Sequence, residues 1–143
     1  MLIAQVLLTL ATLGYSAVPA LVDFNQTHAT NPRWTPHARF HVVWQVSSYL
    51  GVGAIALALI WGPGPLPIER LWLALVIATA VYGGFFAAVF LKTLYGGANH
   101  DENGVPPVYR TIFGTRIGFD ANITIFTIMA LLVGAAAIVI PVR

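Results

Sequence analysis

Polar positions recur at helical spacing inside long apolar runs. In the first run Gln5, Thr9, Thr12 and Ser16 follow i, i+4, i+7 and i+11, and Asp23 continues that face. In the second, His37, His41, Trp44 and Ser48 form one stripe with Gln45 beside it. The fourth run carries Asp120, Thr124 and Thr127; the third is poorest, with Thr79, Tyr82 and Lys92. Residues three and four apart share a helix face, so each run reads as a helix. Polar atoms in lipid need partners inside the protein, and the stripes are therefore expected to face one another. Ser, Thr and Gln beside glycines such as Gly51, Gly53 and Gly83 read equally well as ordinary contacts between membrane helices.

The length of the runs decides where they fold. A hydrocarbon core of about 30 Å needs about 20 apolar residues per helix. Leu2 to Val22, Val42 to Trp61, Leu71 to Leu91 and Ala121 to Ile140 each reach that length without a charged side chain. Local signals extend or stop them. Thr35 is an N-cap ahead of Pro36 at the first helical position, "GPGPLP" breaks the chain after Trp61, and Pro141 closes the last run. The expectation is an all-α integral membrane four-helix bundle, one domain over 1–143, with helices at about 2–22, 36–61, 70–95 and 118–140. The first run could be a leader cut after "VPA", but it lacks a basic start and is expected to be a retained helix.

Composition agrees: 58% of residues are hydrophobic and only 8% charged, against roughly 25% charged in soluble domains. The formal charge of +2 is scattered, with no Lys/Arg cluster to bind nucleic acid. With no cysteine there is neither disulfide, thiolate metal site nor thiol nucleophile. Four spans place both termini and the short "WGPGPLPIER" link on one side, and the ordered loops 23–35 and 96–117 on the other. The loop side holds Arg33, Arg39, Lys92, Arg110 and Arg116, the opposite side Arg70 and Arg143. Lys and Arg set orientation, so the loops are expected in the cytoplasm.

All four histidines, His28, His37, His41 and His100, fall on that loop side with Asp23, Asp101, Glu102 and Asp120. Polar groups concentrate outside the spans in any case, so the informative feature is the H-x-x-x-H pair His37/His41. That spacing puts two imidazoles on one helix face, within reach of a single metal ion. A carboxylate, or His28 and His100, would complete a site for one divalent ion, zinc or iron. Without metal the same groups would serve as an acid–base set, His37 and His41 with Asp23 and Asp120. The plain alternative is a pair of interfacial histidines satisfied by water and loop backbone. Arg39 lies about 160° from each histidine around the helix. It reads as a headgroup partner or an anion site. Trp34 and Trp44 anchor the interface or, with Gln45 and Tyr82, line a pocket for a lipophilic substrate. His100-Asp101-Glu102 reads as an exposed turn or as a lid carrying metal ligands.

The run "DFNQTHATNPRWTPHARFH", Asp23 to His41, resembles the signature of a family of small four-helix integral membrane proteins. The resemblance implies a four-helix fold and brings no activity, cofactor or catalytic residue with it. Sterol-isomerase-like membrane proteins offer an architectural analogy, but this chain has no carboxylate deep within a span. The leading expectation is a small membrane enzyme or ligand-binding protein for a lipophilic molecule, its histidine cluster at one mouth of the bundle. A non-catalytic subunit of a larger membrane complex, or a homo-oligomer, is the alternative. A transporter ranks last, because the third and fourth runs become wholly apolar toward their far ends.

Overall fold

A computed structural model describes residues 1–100, 102, 104 and 106–141; Asp101 and Arg143 therefore lie outside the described residues. Four helical stretches are long and apolar enough to cross a membrane: Leu2–Asp23, Pro36–Trp61, Pro67–Leu94 and Ala121–Val139.

The first is two helices, α1 (Leu2–Tyr15) and α2 (Ala17–Asp23), broken at Ser16. Pro19 explains the break. A proline ring crowds the carbonyl four residues back, here that of Tyr15, and cannot donate to it. The Ser16 hydroxyl donates instead to the Thr12 carbonyl at 2.6 Å, a back-bond that bends helices.

Helix α3 spans Pro36–Trp61, the range its local signals predict. Thr35 Oγ1 accepts from Ala38 N at 3.2 Å, and Pro36 opens the first turn without wasting a donor. Helix α4 spans Pro67–Leu91 and tightens into a 3₁₀ turn at Lys92–Leu94. It starts three residues before the expected position because Pro67 itself opens the helix.

The all-α expectation needs correction between α4 and the last helix. Val108–Ile112 (β1) and Thr115–Phe119 (β2) pair antiparallel, from Val108 opposite Phe119 to Ile112 opposite Thr115. Phe113 and Gly114 make the two-residue turn with φ of 48° and 78°, the left-handed pair that a tight hairpin requires. Tyr109 lies over its cross-strand partner Gly118, and the Arg116 guanidinium sits 4.3 Å from the Tyr109 ring centroid. Residues 118 and 119, expected to open the last helix, belong to β2. Helix α5 (Ala121–Val139) begins one residue after Asp120, whose Oδ1 accepts from Ile123 N at 3.0 Å.

Helix α1 packs against α3, α4 and α5. Its buried residues Ala4, Leu8, Ala11 and Tyr15 meet Leu71, Ala74, Ala78 and Tyr82 of α4 and Val133, Ala136 and Ile140 of α5. The alanines let these helices approach closely. Polar clamps tie the end of the bundle near Met1. Gln5 Nε2 donates to the Ile60 carbonyl at 2.9 Å, Trp61 Nε1 to Thr9 Oγ1 at 2.8 Å, and Arg70 to the Ala58 carbonyl at 2.6 Å. The stripe of the first span thus faces inward, as expected. That of α3 does not: His37, His41, Trp44, Gln45 and Ser48 are all exposed. The expectation that every polar stripe turns toward its neighbours is overturned for this helix, and for α5, where Thr124 and Thr127 are exposed.

Candidate functional site

The two long loops are built by local side-chain bonding. Asn25 Oδ1 accepts from Thr27 N at 2.8 Å, and buried Asn31 accepts from Arg33 N at 3.0 Å while donating to the Thr27 carbonyl at 3.1 Å. Arg33 then pairs with Glu102 across the gap to the second loop.

Within this frame the four histidines form three separate pairs. His28 Nδ1 lies 3.5 Å from Asp23 Oδ1 and 2.8 Å from Thr27 Oγ1, with its ring edge-on to Trp34. His37 and His41 face each other, Nε2 to Nε2 at 3.0 Å, with Phe40 and Trp44 beside His41. His100 Nδ1 lies 3.6 Å from Asp120 Oδ2. Among the described residues no group of three or more His, Asp or Glu side chains is close enough to hold a metal ion. The structure therefore does not bring His28, His37, His41 and His100 together, nor Asp23 and Asp120 beside the helical pair. Among the proposed substrate contacts, Arg39 is half-buried and Trp44 and Gln45 are exposed on α3. Tyr82 is in the core, only 3% exposed, and donates to the Ala11 carbonyl at 2.6 Å.

One of these pairs lines a hollow. A shallow hollow of about 430 Å³, open on its outer side, lies between the end of α4, the hairpin and the start of α5, lined by Lys92, His100, Tyr109, Asp120 and Ile123 among others. Each wall has a local cause. Lys92 begins the 3₁₀ turn that ends the third span, and its Nζ reaches Asn99 Oδ1 at 3.4 Å. Asn122 Nδ2 donates to the Asn99 carbonyl at 3.3 Å, which holds the loop carrying His100 against α5. Asp120 serves twice: Oδ1 caps the helix, and Oδ2 faces the imidazole.

A carboxylate beside Nδ1 orients the ring and favours the tautomer with its proton there. Nε2 is then the ring nitrogen left with its lone pair free. Lys92 adds a fixed positive charge, and Tyr109 and Ile123 add apolar surface. Sequence reasoning named His100 and Asp120 but missed Lys92, Tyr109 and Ile123 as their neighbours. The signal was present in "VYRTIFGTRIGF", where two runs rich in β-branched and aromatic residues flank a Phe-Gly turn and so read as a hairpin.

Comparison with models of protein families, with curated proteins and with solved structures finds no match for this chain. Site geometry is therefore the guide to function.

Proposed function

We propose that the chain is a multi-pass membrane protein that takes a lipophilic molecule by its polar head in the hollow between α4, the hairpin and α5. His100 and Asp120 are the acid–base pair there, and Lys92 draws a head carrying negative charge or a polarised oxygen. The loops 23–35 and 96–117 face the cytoplasm, following their excess of Lys and Arg. The observation that carries this reading is the 430 Å³ hollow with a His–Asp pair and a lysine in its wall, where two apolar spans end. Ligand sites combine apolar walls with a few convergent polar groups, and an open hollow of this kind suits the head of a molecule whose tail lies along the spans. An acid–base role is the enzymatic form of the reading, and binding alone its minimal form.

The test is native mass spectrometry of the protein extracted in mild detergent, with lipid analysis of what it retains. Native protein should carry a discrete lipophilic species that His100→Ala and Ile123→Trp lose. A retained set identical across all three proteins sinks the proposal.

A further inference from the structure

The outward face of α3 is the least expected feature of the fold. His37, His41, Trp44, Ser48, Gly51 and Ile55 are all exposed, and their spacing alternates four and three residues. That alternation is the heptad seam along which two helices wind in continuous contact. Gln45 and Ser47 flank the seam, and neither side chain has a hydrogen-bond partner among the described residues. Gln45 lies about 13 Å into the helix from Pro36, at 1.5 Å per residue. Within a membrane its amide would face hydrocarbon, where an unpaired polar group costs several kcal/mol.

A second copy of the chain fits this face. Glutamine and serine each donate and accept hydrogen bonds, so an identical seam supplies what Gln45 and Ser47 lack. No charged residue lies on the seam, since Arg39 projects from another side of the helix, and like-charge repulsion does not oppose self-pairing. A Cβ at Gly51 would meet nothing within 4 Å, so the seam is open at its centre to a close neighbour. Copies inserted with the same topology pair about an axis along the membrane normal, which sets the two α3 helices parallel. His37 and His41 of each copy then meet at the same mouth.

We propose that two copies pair along α3 and that their four imidazoles, His37 and His41 of each, hold one zinc-class divalent ion on the two-fold axis. The 3.0 Å between Nε2 atoms within one chain is near the edge of a tetrahedron around zinc. That edge is about 3.3 Å for Zn–N bonds of 2.0–2.1 Å. One chain supplies two ligands and the second copy completes the set. Four imidazoles suit zinc and its neighbours better than calcium or magnesium. The proposal rests on the membrane-embedded reading but not on the hollow at α5, and its tests do not involve His100 or Asp120.

The chain has no cysteine, so each introduced thiol is the only one. Full-length Gly51→Cys and Ser48→Cys, oxidised in native membranes, should cross-link into dimers, and Leu131→Cys on the exposed face of α5 should not. Metal-stripped dimer titrated with Co²⁺ should take one ion per two chains and show the intense visible absorption of a tetrahedral site. His41→Ala should abolish that absorption while leaving the Gly51→Cys cross-link in place. Cross-linking at 51 no stronger than at 131, an adduct with a different protein, or cobalt uptake unchanged by His41→Ala overturns the proposal.

Discussion

Gly53 lies two residues from Gly51 on the same helix, and the structure predicts opposite outcomes for the same substitution. An alanine Cβ at 53 would stand 2.6 Å from both Cβ and Oγ of Ser16. Carbon contacts settle at about 3.5–4.0 Å, so roughly 1 Å of movement is forced. Neither side yields easily. Ser16 is buried and its hydroxyl is held to the Thr12 carbonyl at 2.6 Å, while Gly53 is buried against it in mid-helix. Overpacking costs about 1–3 kcal/mol, and two contacts at 2.6 Å between held groups put this case in the upper part, about 2–3 kcal/mol. The gain in helix propensity from glycine to alanine returns up to about 1 kcal/mol. Gly53→Ala should therefore destabilise by about 1–2 kcal/mol, read as an earlier unfolding midpoint in detergent micelles. Ser16→Gly removes both clashing atoms, and the double variant should recover most of the loss, a coupling that a double-mutant cycle measures directly. Gly51→Ala, with open space at its Cβ, should be neutral or slightly stabilising in the monomer. If Gly53→Ala unfolds with native protein, or if Ser16→Gly gives no rescue, the close approach of α3 to the Ser16 break is wrong.

Two further substitutions probe the loop side. Asp120→Ala should cost about 1 kcal/mol by removing the N-cap of α5, whereas Asn caps as well as Asp. Asp120→Asn should thus keep the thermal midpoint and still lose retained ligand, because only the charge facing His100 has gone; equal ligand retention by Asp120→Asn and native protein counts against an acid–base pair. Phe113 is fully exposed and held at φ 48°, a conformation that asparagine adopts at less cost than phenylalanine. Phe113→Asn should slow amide exchange across 108–119 several-fold, and faster exchange would show that the hairpin does not depend on its turn.

The spans were legible in the sequence, and most of their limits to within about three residues, because helix formation in an apolar medium is a local requirement. Every backbone donor must find its acceptor within the segment, so apolar length alone identifies the four spans. Thr35-Pro36 marks the start of α3 through contacts within one turn. The hairpin was also written locally, in the β-branched and aromatic residues on either side of Phe113-Gly114, but was masked by its place between two spans. What tertiary structure alone decided is which face of each helix points inward. A soluble helix marks its inner face by hydrophobicity; in lipid both faces are apolar, and orientation depends on close packing of small residues. Hence Gly53 is buried and Gly51 open, although nothing in their flanking sequence separates them. The same cause turned the paired histidines of α3 outward and left His100 with Asp120. The paths of two loops tied by Arg33 and Glu102 determine those partners, and no spacing along the chain records them.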